Sequence, residues 1–270
     1  MPKPAGISAT NRAYLETLHR IAESPFSVDD AAAALDLAPP RTTQLLGYLA
    51  RRGWLSRVRR GLYVAVPLEA RRSGEWTADP WLVAEKVFSP CYVGGWSACE
   101  YWDLTEQLFR SVLIVTAQRP RTRDVDLRGV RLHVVTRNPS QLFGTVKIWR
   151  GQSRVPVSDP SRTIVDVLDT PALGGGIRTV TDVLREYMAS EHRDDRLLIE
   201  YGDRLAHRAM FKRLGFLLEQ SGIEAPGLLD ACRARRTAGL IALDPAIKAS
   251  GPIAKRWGLR MNVGLPEVDR

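Results

Sequence analysis

The chain has 270 residues, 44% of them hydrophobic and 26% charged. This is an ordinary globular composition, and it excludes a disordered, collagen-like or disulfide-dense chain. The formal net charge is +9, but arginine outnumbers lysine 33 to 6. A GC-rich coding sequence produces such a bias, so position is more informative than total. Residues 1–36 carry three basic and five acidic side chains, whereas residues 37–68 carry six arginines and no acid. That one window holds two thirds of the excess charge, the electrostatic footprint expected for a polyanion partner.

In chain order, Thr10 and Asn11 are candidate helix caps. Tyr14, Leu15, Leu18, Ile21 and Ala22 follow with the spacing of an amphipathic helix, which Ser24-Pro25 ends. Ser27 caps a second helix, with Asp30 three residues on as a weak relative of a capping box. Val28, Ala31, Ala32 and Leu35 form its apolar side. After the turn Asp36 to Ala38, Pro39-Pro40 opens a third helix. Thr42, Leu45, Leu46 and Leu49 would face the core. The opposite face then carries Thr43, Gln44, Gly47, Tyr48 and Arg51, flanked by Arg41 and Arg52. Trp54 to Val58 and Leu62 to Val66 read as strands joined at Arg59-Arg60-Gly61, where Gly61 supplies the positive φ of a three-residue hairpin loop. Three short helices and a basic hairpin make a winged helix-turn-helix over residues 1–68. Its third helix would enter the major groove, and the cations of the hairpin would meet flanking phosphates. Arg41, Thr43, Gln44 and Tyr48 are the candidate groove contacts. Arg51, Arg52, Arg57, Arg59 and Arg60 are the candidate phosphate contacts. The bland alternative is a trihelical protein-interaction domain with a solvated basic face.

Residues 69–79 read as a polar linker containing Arg71-Arg72-Ser73-Gly74. Residues 80–270 read as a larger α+β domain with a helical C-terminal half. Trp81 to Val87 and Trp96 to Trp102 suggest helices, and Ser111 to Ala117, Val130 to Thr136 and Thr145 to Trp149 suggest strands. Arg119 to Arg123 forms a basic loop. Ser158-Asp159-Pro160 starts a helix with the apolar stripe Ile164, Val165 and Leu168, on which Arg162 and Asp166 are expected as a surface pair of little energetic weight. Gly174-Gly175-Gly176 reads as a helix stop rather than a phosphate cradle. From Ile177 helices are expected almost to the end, with Ala206, Met210, Leu214 and Leu217 on one long amphipathic helix.

Catalytic signatures are sparse. His19, His133, His192 and His207 lie in separate elements, none at metal-ligand spacing, and no Walker loop or nucleophile elbow occurs. Asp124 and Asp126 have the spacing of a metal-binding carboxylate pair, but arginines stand where a nucleotidyltransferase would place Gly-Ser. The expectation is a non-enzymatic protein without metal or cofactor. The longest uncharged apolar run, Val87 to Cys99, has 13 residues and contains Pro90, too short to span a membrane. Met1-Pro2-Lys3-Pro4 lacks the apolar core of a signal peptide. Cys91, Cys99 and Cys232 form no metal spacing and read as reduced thiols, so a cytoplasmic location is expected.

Three stretches together resemble the AbiEi-type antitoxins of abortive-infection toxin–antitoxin pairs. They are the wing ending in Arg57 to Tyr63, the segment Tyr92 to Leu104 followed by the strand through Val115, and the segment Val157 to Asp169 trailing into the glycine run. The chain departs from that pattern at Ser161, where a glutamate is usual; an exposed first-turn position is expected there. The resemblance implies a winged helix that binds double-stranded operator DNA, with two copies on repeated half-sites, and represses the shared operon. It also implies a C-terminal domain that counters a nucleotidyltransferase toxin, by direct binding or by functional antagonism. Two rivals stand beside it: a nucleic-acid-processing enzyme using Asp124 and Asp126, and a plain transcriptional regulator with a C-terminal sensing or dimerisation domain.

Overall fold

The computed structural model describes residues 7–21, 25–66 and 78–265. The first elements are α1 (Ala9–Ile21), β1 (Phe26–Ser27), α2 (Val28–Leu35), α3 (Pro39–Arg51), β2 (Leu55–Arg59) and β3 (Leu62–Ala65). Helix α1 starts earlier than Thr10, because the Ser8 hydroxyl accepts from Asn11 N at 3.3 Å and takes the capping role. Ala22 and Ser24 lie outside the described residues. At α2 the box is complete: Asp30 N donates to Ser27 Oγ at 3.0 Å, and Ser27 N donates to Asp30 Oδ2 at 2.8 Å. Pro39 and Pro40 open α3 without a side-chain cap. Leu15, Leu18, Ala31, Leu46, Leu49 and Leu55 close a small core with Tyr63 and Ala65.

The three strands form an antiparallel sheet in the order β1-β3-β2. Arg59 pairs with Leu62, so the connecting loop is the two residues Arg60-Gly61, one fewer than the spacing suggested. A bulge between Arg57 and Arg59 places Val58 as the extra residue. Gly61 sits at φ 77°, and its carbonyl accepts from Val28 N, which ties the wing turn to the start of α2.

The second part begins with α4 (Pro80–Phe88), capped by Asp79. The expected linker lies largely outside the described residues, which omit 67–77. Then follow β4 (Cys91–Val93), α5 (Gly95–Tyr101), β5 (Val112–Thr116), β6 (Asp124–Leu127), β7 (Val130–Thr136), β8 (Thr145–Arg150) and β9 (Ser153–Ser158). They build a mixed six-stranded sheet, β6-β7-β5-β4-β9-β8, in which β5/β7 and β4/β9 are parallel. Strands β4, β6 and β9 were not expected from sequence. The first is only three residues long, the second is an edge strand whose aspartates point to solvent, and the third contains Pro156.

The helical half is α6 (Pro160–Asp169), α7 (Ile177–Ala189), α8 (Asp195–Leu205), α9 (Ala209–Gln220) and α10 (Pro226–Arg235). Helix α6 is its axis, with every residue from Ser161 to Asp169 buried. Between α6 and α7, Gly175 and Gly176 take positive φ, as befits a helix stop. The expected long helix through Ala206 is two helices, because Ala206 turns into the left-handed region at φ 59° and ends α8. Helices also stop earlier than expected. After α10 the short strands β10 (Ile241–Ala242), β11 (Ile253–Ala254) and β12 (Leu259–Arg260) form a small sheet.

The two parts share one apolar cluster. Tyr63 and Ala65 face the winged-helix core, while Val58, Leu62 and Val64 pack with Trp81, Leu82, Val83 and Val130. Alternation along a strand explains both contacts. Across the same junction Lys86 Nζ lies 2.8 Å from Asp30 Oδ2.

Candidate nucleic-acid interface

Helix α3 divides by its period. Thr42, Leu46 and Leu49 are buried, and Leu45 is partly buried beside them. Arg41, Gln44, Tyr48 and Arg51 recur three or four residues apart on the other side, with Thr43 and Gly47 adjacent. Arg41, Thr43, Gln44 and Arg51 are exposed, and Tyr48 is half-buried. Arg52 follows at the C-cap, with its guanidinium 5.5 Å from the Tyr48 ring centre. A Cβ at Gly47 would meet nothing closer than the tip of Arg51, 3.7 Å away, so the face is open there. Thr43 is less available than its type suggests, because its hydroxyl donates back to the Pro39 carbonyl at 2.9 Å. It retains only acceptor capacity and its methyl group for a partner.

Arg57 and Arg59 on β2 and Arg60 in the turn are all exposed, while Val58 between them is buried. Helix α3 packs directly on β2, so the helix and the hairpin are neighbours in the winged helix. Among the described residues none of Arg41, Arg51, Arg52, Arg57, Arg59 and Arg60 has a carboxylate within ion-pair distance. The C-terminal arginines behave otherwise. Arg233 binds Glu219 and Asp230, Arg235 binds Asp203, and Arg236 donates to the Arg256 carbonyl. Those guanidinium groups serve the fold.

The carboxylates considered for metal are also engaged. Asp124 Oδ1 lies 2.7 Å from His133 Nδ1, and Asp126 accepts from Gly129 N at 2.8 Å. Among the described residues no group of three or more His, Cys, Asp or Glu side chains is arranged to hold a metal ion. No described helix is long and apolar enough to cross a membrane.

Sequence reasoning missed Lys86, which anchors Asp30 and with it the cap of α2. A contact between residues so far apart in the chain leaves no periodic signal. Two expectations about α6 are corrected. Arg162 and Asp166 are not a surface pair: they meet at 3.0 Å with side chains 0% and 2% exposed. Ser161 is not exposed either, and its hydroxyl bonds Tyr187 Oη at 2.8 Å. The amphipathic stripe shows one buried face, but α6 is enclosed on all sides by α5, α7, α8 and α9.

The crystal structure of the RV2827C protein from Mycobacterium tuberculosis is similar to this chain, with a TM-score of 0.64 and 17% identity. The likeness covers 95% of this chain and 93% of that one, and it shows a shared fold. No curated protein matches the sequence. Residues 12–66 match the family described as a transcriptional regulator, AbiEi antitoxin. The likeness to that family of antitoxin transcriptional regulators thus lies in the winged helix.

Proposed function

We propose that the protein is an operator-binding antitoxin that represses its own operon and counters a nucleotidyltransferase toxin. In this reading residues 1–68 bind double-stranded DNA, residues 69–79 connect, and residues 80–270 supply the antitoxin activity without catalysis. The observation that carries it is the set of six exposed arginines on α3 and the wing, none engaged by a carboxylate among the described residues. Unpaired guanidinium groups on one surface attract phosphate at long range and bind it by paired N–H donors at contact. Arg41, Gln44 and Tyr48 are proposed to read base edges, with Thr43 contributing its methyl group and an acceptor. Arg51, Arg52, Arg57, Arg59 and Arg60 are proposed to hold phosphates, with two copies on repeated half-sites.

The test is a mobility-shift titration against the upstream region of the operon at several salt concentrations. Replacing Arg59 and Arg60 with alanine removes two phosphate contacts. The slope of log K against log salt should flatten by about 2 per monomer, and affinity should fall on all sequences alike. Gln44→Ala should instead change sequence preference more than overall affinity. Unaltered slope and affinity in the double variant would refute the wing assignment. Antitoxin action is checked by co-expression with the neighbouring gene, where growth rescue is expected.

A further inference from the structure

A pocket of about 450 Å³ opens between α4, α5 and the end of β8, and none of the arginines of the candidate interface lines it. Three of its walls are aromatic. Trp81 and Tyr101 lie with ring centres 5.6 Å apart, and Phe109 is held by stacking on Trp96 at 5.2 Å and 15°. Two opposite charges, Glu100 and Arg150, line the same space without pairing with each other. Glu100 is exposed and has no hydrogen bond or ion pair among the described residues. The Arg150 guanidinium is fixed 4.4 Å over the Trp81 ring, with Nε 3.5 Å from the Asp79 carboxylate. Its Nη groups make no hydrogen bond among the described residues, and the Ser111 hydroxyl is likewise unengaged.

We propose that this pocket binds a nucleotide whose base carries an exocyclic amino group, either free or as an unpaired residue of a nucleic acid. The rings of Tyr101 and Phe109 suit a stacked base, while Trp81, buried beneath Arg150, backs the pocket. The Glu100 carboxylate is an acceptor only, so it accepts from an amino group and repels a carbonyl at the same edge. The pre-oriented fork of Arg150 suits a phosphate at the other end of the ligand. A volume of this size, with aromatic side chains and converging polar groups on its walls, suits a small ligand. The site shares no residue with the proposed DNA contacts and goes beyond the operator-binding reading.

Calorimetric titration of the full chain with AMP, GMP, CMP and UMP, and with a single-stranded hexanucleotide, tests it. At least one amino-bearing nucleotide should bind about tenfold more tightly than UMP. Glu100→Gln should abolish that preference, because the amide also donates to a carbonyl. Tyr101→Ala should weaken every bound nucleotide about tenfold. Glu100 is exposed and Tyr101 is 39% exposed, and an unchanged unfolding midpoint of each variant checks that the fold is kept. Saturation by mononucleotides identifies a free ligand, whereas hexanucleotide binding alone, lost in Tyr101→Ala, identifies an unpaired residue of a strand. No heat from any probe at about 10 mM, or binding identical in both variants, overturns the proposal.

Discussion

Arg162 lies buried on α6, with its guanidinium 4.0 Å from the Phe143 ring and Arg204 on the same ring at 3.9 Å. Tyr92 Oη bridges the ion pair: it accepts from Arg162 Nη2 at 3.1 Å and donates to Asp166 Oδ2 at 2.8 Å. Burial opposes the charge on Arg162, but Asp166 and Tyr92 outweigh it and hold the guanidinium above its ordinary pKa. Burial, with Asp166 beside it, pushes the Tyr92 hydroxyl well above its ordinary pKa, so it stays protonated and able to donate. Removing one member leaves an uncompensated buried charge. Asp166→Ala should therefore cost about 3–5 kcal/mol in urea unfolding. The double change Arg162→Met, Asp166→Leu should cost clearly less. A single variant as stable as the double would show that the pair contributes little. The (i, i+4) spacing was readable in the sequence, but the burial that gives it weight was not, because spacing is the same on a wet and a dry helix.

Helix α9 has a flat seat at Gly215. A Cβ there would fall 2.0 Å from the Trp257 ring, which is buried and donates through Nε1 to Glu219 at 2.7 Å. The C-terminal segment is thus clamped to the helix bundle by one indole against bare backbone. Gly215→Ala forces the indole out, and despite the better helix propensity of alanine it should cost about 1–3 kcal/mol. A loss of Trp fluorescence intensity or a lower unfolding midpoint reports it; an unchanged or higher midpoint contradicts it. Helix α3 is the opposite case. Its core stripe of Thr42, Leu46 and Leu49 and its polar face of Arg41, Gln44 and Arg51 were both legible, because the helix lies half in water and its period shows. The break at Ala206 was not legible. Nothing but tertiary packing of α8 and α9 places a non-glycine residue in the left-handed region there.

The winged helix and the part that follows it are joined by the two-faced strand β3 and by the Asp30–Lys86 contact. The Lys86 ammonium, then the Ser27 backbone N–H, lower the Asp30 pKa. A carboxyl with a depressed folded pKa stabilises the folded state above its unfolded value, about 3.9, and loses that contribution as pH falls through the folded value. Asp30→Asn should therefore be less stable than the parent at pH 7, and the gap should close below about pH 4. A gap independent of pH would show that the carboxylate charge is not what joins the parts. The winged helix, its acid-free run of arginines, the strands β5, β7 and β8 and the start of α6 at Asp159-Pro160 were legible before any packing was known. Each of these rests on local signals: period, capping, turn chemistry and charge within a few residues. Long-range packing settles that α6 is buried on every side, that the wing packs against α4 and the large sheet, and that Trp81, Glu100, Tyr101 and Arg150 meet around one pocket. Those outcomes depend on which surfaces exclude water from one another, and residues far apart in the chain settle that only once they pack together.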